Sequence, residues 1–336
     1  MMGKAQKPVV NTGALRKRSK WTRDDAELAL LGLPAFAWFV LFSYLPMFGL
    51  IIAFKKYQIF PRQSFLANLL QSKWVGFDNF VQIFTGKLPA LKYTYLNTLI
   101  YMVSLPLGII IDIVVATFVS RLAHGKGIVR GILFIPYVCS SVALAVIFQL
   151  MYRESGGVLN NMLGAMGFKG VRWLTSSPVL FMFSTVLLGV WAGSGYNIVL
   201  ISAALANVDK SYYEAAEIDG ASSVTVFFRI TLPAITPTLS FIVTLGLIGT
   251  MQVFTEPRIL VSDLGDIKPY WKDAAGENIV SGHMTVVNYI YYLGFENAYQ
   301  YGYGMASACA WVLAVIIFVV TRINQMLQKK WVSYDF

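Results

Sequence analysis

The residues of this chain that could do chemistry are polar groups set in apolar sequence. Asp112, Tyr196, Asn197, Gln252, Thr255 and Glu256 each lie within or at the end of a long hydrophobic run. Such groups are costly in hydrocarbon unless they face protein or water. Tyr196, Asn197, Gln252, Thr255 and Glu256 can therefore bind the hydroxyls of a polar solute passing between helices, or they can pair helix with helix. Asp112 can belong to a proton relay or be an isolated acid hydrogen-bonded to a neighbouring helix. The second use is preferred, because no second acid is paired with it in the sequence.

Other chemistries find no constellation. The phosphate-binding pattern G-x-x-x-x-G-K-[ST] is absent, since Gly3-Lys4, Gly86-Lys87 and Gly125-Lys126 all lack its context. No metal site follows from His124 and His283, which the topology below places on opposite sides of a membrane. Cys139 and Cys309 sit inside apolar segments and read as small buried hydrophobes. No nucleophile with a matching base presents itself.

The stretch Asn207–Pro233, NVDKSYYEAAEIDGASSVTVFFRITLP, is polar and structured. Asp209 can cap a short helix beginning at Lys210, and Gly220 can end it in the left-handed conformation that glycine takes without strain. Ala215 and Ala216 keep one surface low, while Glu214 and Glu217 put negative charge on one face. A second helix begins near Ser222 or Ser223 and is expected to stop at Pro233, which also starts the next span. A plain solvated linker is the competing reading.

The elements that must position these groups are membrane helices. Of 336 residues, 57% are hydrophobic and 13% charged, unlike a soluble domain. A helix needs about 20 apolar residues to cross a hydrocarbon core of roughly 30 Å. The sequence predicts six such spans: Leu28–Phe54, Asn97–Ser120, Ile128–Tyr152, Val179–Ala204, Pro237–Leu260 and Gly304–Ile323. The fold class is all-α, an integral membrane bundle. Pro34, Pro46, Pro106 and Pro136 are tolerable within it because neighbouring helices and hydroxyls re-satisfy freed carbonyls. The run from Leu28 is too long for a signal peptide and is retained as a span.

The net charge of +10 follows the membrane. Lys4, Lys7, Arg16, Lys17, Arg18, Lys20 and Arg23 precede the first span, Arg121, Lys126 and Arg130 flank the second link, and Arg322, Lys329 and Lys330 follow the last span. Positive-inside bias then puts both termini in the cytoplasm. Lys55, Lys56, Arg62, Lys73, Lys87 and Lys92 oppose it from the first outer loop, but long loops translocate with little regard to charge. Nucleic acid would need basic residues clustered with stacking aromatics on a folded polar face, so none is expected as a partner. Three outer segments follow, Lys55–Leu96, Arg153–Pro178 and Val261–Tyr303. Their Trp74, Trp173, Trp271, Tyr289, Tyr291 and Tyr292 suit an interfacial belt and could equally stack on sugar rings.

The spacing Glu214-Ala215-Ala216, Gly220, Ile230, Leu232, Pro233 resembles, position for position, the EAA loop of binding-protein-dependent ABC import permeases, and Asp219-Gly220-Ala221 resembles the form of the sugar branch. YLPMFGLIIAF (Tyr44–Phe54), WVGFDNF (Trp74–Phe80) and YIYYLGFENAYQYGYGMASA (Tyr289–Ala308) resemble permeases handling oligosaccharides and polysaccharide fragments. One departure is Thr255-Glu256-Pro257-Arg258, where that family often has a Gly-Gly-Pro turn.

The resemblance implies a six-span type I permease domain over 28–323, with its coupling loop at 207–233, a basic cytoplasmic segment at 1–27 and a cytoplasmic tail at 324–336. It implies a bacterial cytoplasmic membrane and a non-catalytic subunit that pairs with a second, homologous permease. Glu214, Ala215, Ala216, Asp219, Gly220, Ile230, Leu232 and Pro233 would couple to two separate ATPase subunits. These, rather than this chain, would bind ATP and Mg, so no cofactor is expected here. Substrate, a sugar or oligosaccharide, would come from an external solute-binding protein, and the basic outer loops would suit an acidic one. The rival expectation is a secondary transporter driven by an ion gradient, which would call for related halves and discontinuous helices.

Overall fold

The computed structural model describes residues 23–44, 47–57, 64–298 and 302–333. The basic residues from Lys4 to Lys20, together with Pro46 and Arg62, lie outside the described residues. The chain forms two units, Met1–Ile51 and Ile52–Phe336, each described by itself. In the first, helix α1 (Arg23–Phe39) runs into a π-helical turn at Val40–Tyr44. Leu31, Phe36 and Trp38 are each more than half exposed, the surface of a helix whose solvent is lipid.

The second unit is a helical bundle. Its first long apolar stretch comprises α2 (Ala90–Met102) and α3 (Ser104–Arg121). The irregularity at Val103 has its cause in Pro106, which cannot donate to the carbonyl of Met102, and the turn tightens so that Val103 N–H reaches Ile100. Next, α4 (Lys126–Val138) and α5 (Ser141–Met151) meet at 95°. The single span expected from Ile128 to Tyr152 is thus broken. Pro136 withdraws a donor one turn earlier, and Cys139 and Ser140 take extended backbone. Among the described residues five helices are long and apolar enough to cross a membrane, and the bent pair makes a sixth if taken as one span.

At the centre lies α6 (Pro178–Ala206), started by the Ser177 hydroxyl, which accepts from Leu180 N–H, with Pro178 at the first helical position. It packs against α3 and α4. Its fully buried Phe181, Met182 and Leu188 serve one core cluster, and Ile198 and Ile201 join Ile235 in another. After it come α7 (Lys210–Ile218) and α8 (Ser223–Val226), then α9 (Leu232–Met251), α10 (Thr255–Val261), α11 (Val286–Tyr291) and α12 (Gly302–Gln328).

Pro233 starts the next long helix, standing in its first turn, but it does not separate that helix from the short one before it. A π-helical turn, Phe227–Thr231, carries α8 into α9, so the apolar stretch runs from Ser223 to Met251. Leu232 N–H reaches back five residues to Phe227 O, and this widened turn accommodates the proline ring and its missing donor. The predicted fifth span, Pro237–Leu260, is displaced accordingly. It breaks at Gln252–Phe254, where Thr285 Oγ1 donates to Val253 O (2.8 Å) and Asn288 Nδ2 to Phe254 O (3.1 Å). Those bonds satisfy carbonyls that the broken helix leaves open.

The 261–303 segment is structured by an antiparallel hairpin, Tyr270–Lys272 with Asn278–Ser281, paired Tyr270 to Ser281 and Trp271 to Val280. Asn97 anchors it to α2: it donates to Met284 O at 2.9 Å and accepts from the Trp271 indole at 2.9 Å. Trp173 donates to Asn160 Oδ1 at 3.0 Å, and Tyr289 is buried. These aromatics hold the framework, and none lines the cavities described next.

Candidate coupling loop and translocation cavity

Asp209 Oδ1 accepts from Ser211 N–H at 2.9 Å and caps α7 as expected, and that hydrogen bonding holds its carboxyl below the usual range. At the other end Gly220 has φ +67°. Ala221 N–H donates to Ala216 O (2.9 Å) and Gly220 N–H to Glu217 O (3.1 Å), the paired bonds of a Schellman motif. Ser222 then caps α8 through Thr225 N–H. Tyr213 and Thr231 hydroxyls, 3.3 Å apart, tie α7 to the π-helical turn that follows α8. The loop is thus a fixed helix-turn-helix rather than a loose linker.

Its faces divide differently from the sequence expectation. Glu214 and Ala215 are exposed, as are Asp219 and Gly220, and Ile218 is 87% exposed. Ala216 turns inward and is buried, so the alanine pair does not share one outer face, while Glu217 stays exposed like Glu214 and stands at the rim of an open cavity. A helix advances about 100° per residue, which puts 218 and 217 within about 40° and 60° of 214 on either side and 216 on the opposite, buried face. Ile230, Leu232 and Pro233 are half-buried where the loop enters the bundle.

All five candidate pathway residues line two adjoining cavities. Tyr196 and Asn197 of α6 wall a cavity of about 490 Å³ with Asp112 and Tyr137. Gln252, Thr255 and Glu256 wall one of about 360 Å³ at the break between α9 and α10. The two share Tyr101, Gly246, Gly249 and Thr250. Irregular backbone at membrane depth belongs where it lines such a space. Asp112 is fully buried and accepts from Asn197 Nδ2 at 2.8 Å, which is the isolated, helix-pairing acid expected from the sequence.

The walls include groups that sequence reading missed, namely Tyr101, Ser104, Tyr137 and Thr250. Tyr137 stacks on Tyr196 with ring centres 5.0 Å apart. Hydroxyls inside apolar runs were the available signal, but periodicity did not say which faced inward. Gly189 and Gly193, four residues apart on α6, have different surroundings. A Cβ at Gly189 would meet the Tyr101 hydroxyl at 2.5 Å, whereas Gly193 faces open cavity and the next tight contact, two residues on, is at Gly195.

Residues 104–333 match the family described as binding-protein-dependent transport system inner membrane component. The chain belongs to that family. Among relatives of this permease, the probable ABC transporter permease protein YesP of Bacillus subtilis (strain 168) is 31% identical over 95% of this chain and 96% of its own length. The arabinooligosaccharides transport system permease protein AraP of the same organism is 33% identical over 76% of each. A crystal structure of a bacterial alginate ABC transporter, in complex with alginate pentasaccharide-bound periplasmic protein, matches with TM-score 0.73 and 27% identity. It covers 92% of this chain and 96% of that one. Membership makes the permease a multi-pass membrane component of an ABC importer and sets aside the ion-gradient transporter.

Proposed function

We propose that this permease is one of a pair that forms the path for oligosaccharide uptake, with the pair driven by two ATPases docked on α7 and supplied by an external solute-binding protein. The observation that carries the proposal is the rigid, glycine-ended α7 with Glu214, Ala215 and Ile218 facing outward and unburied. A short amphipathic surface of this kind suits a cleft in another protein. ATP and Mg would be held by the ATPases. The names of the relatives, arabinooligosaccharides for AraP and alginate for the structural neighbour, support a sugar polymer fragment.

The cavity walls refine the substrate. Asp112 and Glu256 line them, with no Lys or Arg. Arg258, next to the second cavity, is held by an ion pair to Glu296 and lies 4.6 Å over the Tyr291 ring. An uncharged oligosaccharide therefore fits this half of the path better than the acidic one that the basic outer loops suggested.

Arg121, Lys126 and Arg130 lie at the same end of the bundle as Tyr213, Glu217 and Thr231 of the coupling loop. The C-terminal segment joins them, since Ser333 N–H donates to Thr236 Oγ1 at 2.9 Å. Positive-inside bias then supports cytoplasmic termini. Purification tests the assignment: the permease alone should hydrolyse no ATP and should do so only with its ATPase partner. An impermeant thiol reagent should label Trp173→Cys in intact cells and Lys210→Cys only in inverted vesicles. Hydrolysis by this polypeptide alone, or the reverse labelling pattern, would overturn it.

A further inference from the structure

Where the coupling loop meets α3, α4 and α6, a cavity of about 580 Å³ opens. Arg121, Lys126 and Arg130 line it, with Glu217 as the acidic group among its lining residues, and none of the four is ion-paired. Here α4 begins with no side chain capping its N–H groups. Ser202, fully buried on α6, borders the cavity with an Oγ that has no hydrogen-bond partner, and Arg130 Nε is likewise buried and unpartnered. Unpaired donors beside three cations and a free helix N-terminus are the complement of an anion with several acceptor oxygens.

A second cavity, about 340 Å³, adjoins the first and shares Thr117, Arg121 and Ser223 with it. The rest of its wall is apolar: Val114, Phe118, Val224, Phe227 and Phe228. Phe118 and Phe228 are more than half exposed, so the groove opens on the outer surface of the bundle. We propose that the two cavities together bind one anionic phospholipid of the cytoplasmic leaflet. Its phosphate would lie among Arg121, Lys126, Arg130 and Ser202, and an acyl chain would run along Phe118 and Phe228. A free phosphate would fill the basic cavity and leave the groove empty; the continuity of the two favours the lipid. A zwitterionic lipid carries its own amine, whereas an excess of cations over Glu217 calls for net negative charge. Tyr213, Glu217 and Ala221 also line the basic cavity, so the lipid would brace the inner side of the coupling loop. The proposal rests on the orientation proposed above.

The complete transporter, reconstituted in phosphatidylcholine nanodiscs containing a minor fraction of phosphatidylglycerol, provides the test, with retained lipid read by native mass spectrometry. The wild type should retain phosphatidylglycerol in preference to phosphatidylcholine. Each cation removed should weaken retention about five-fold, corresponding to about 1 kcal/mol per basic residue at an anionic surface. Lys126→Gln with Arg130→Gln should therefore cost roughly 30-fold, while Arg130→Lys keeps the preference and shows that the fold survives. Phe118→Ser should also weaken retention. Equal retention of the two lipids, an unaffected double variant, or displacement by inorganic phosphate with no effect of Phe118→Ser would overturn the proposal. An inverted orientation would move the lipid to the other leaflet but leave the headgroup preference intact, so the two failures are distinguishable.

Discussion

Asn197 donates to Asp112 Oδ2 at 2.8 Å, joining α6 to α3 across 85 residues of sequence at the wall of the central cavity. The carboxylate is fully buried, and its other oxygen has no partner. The amide, with the Ser194 hydroxyl also acting on the carboxyl, makes burial of the acid tolerable, and removing one member of the Asp112–Asn197 pair should hurt more than removing both. Asn197→Ala should lower stability by about 1–3 kcal/mol, read as a lower unfolding midpoint of the detergent-purified transporter. Asp112→Leu combined with Asn197→Leu should recover most of the loss. Equal midpoints for wild type and Asn197→Ala would show that the bond contributes nothing.

Gly195 and Gly193 lie on one helix, and their surroundings predict opposite outcomes. A Cβ at Gly195 would sit 2.6 Å from the carbonyl oxygen of Leu133, a backbone atom of α4 that cannot swing away, whereas at Gly193 it would meet nothing within 4 Å. Gly195→Ala should destabilise by about 1–3 kcal/mol through overpacking. Gly193→Ala should fold normally and narrow the cavity, raising the substrate concentration needed for half-maximal transport. Thermal melts of both variants beside uptake assays check this, and equal stability would refute the packing assigned to Gly195.

His283, in the 261–303 segment, is buried against Ser281, its Nδ1 2.8 Å from the hydroxyl. Burial, with the positive charges of Lys268 and Arg258, pushes its pKa down to about 3. The folded state keeps it neutral while the unfolded chain takes a proton below about 6.5. The unfolded state binds more protons between those values, so stability is full above about 6.5 and falls as pH drops toward 3, by up to about 1.4 kcal/mol per pH unit. His283→Asn should flatten that slope. A variant with the same pH profile as the wild type would assign the acid sensitivity to other groups.

The sequence carried the membrane class, the apolar runs and the helix-turn-helix, because length, hydrophobicity, caps and a glycine break are local signals. The cap at Asp209 and the left-handed Gly220 were legible for that reason. The 95° bend at Cys139–Ser140 was not, since an apolar run reads alike whether straight or folded back. Nor was the turn that carries the chain past Pro233, where proline reads locally as a stop but a widened turn absorbs it. The partnership of Asp112 with Asn197, and of Asn97 with Trp271 174 residues away, depends on tertiary placement that one sequence does not encode locally. The same holds for Ala216, whose inward turn was decided by packing beneath α7.

The central claim is that α7 transmits ATP-driven motion, and Gly220 isolates it. A Cβ there meets nothing within 4 Å, so the cost of Gly220→Val is the left-handed backbone alone, about 1–2 kcal/mol concentrated at the turn. Gly220→Asn, which tolerates that conformation, should be milder. Glu214→Ala should remove an exposed carboxylate, the proposed ATPase contact, without touching the spans. The decisive measurement is transport together with substrate-stimulated ATP hydrolysis by the complete transporter in proteoliposomes, at matched membrane levels. The account predicts that both activities fall together in Gly220→Val and Glu214→Ala, with Gly220→Asn in between. Wild-type rates from Gly220→Val and Glu214→Ala would contradict it and leave the loop as a connection between helices.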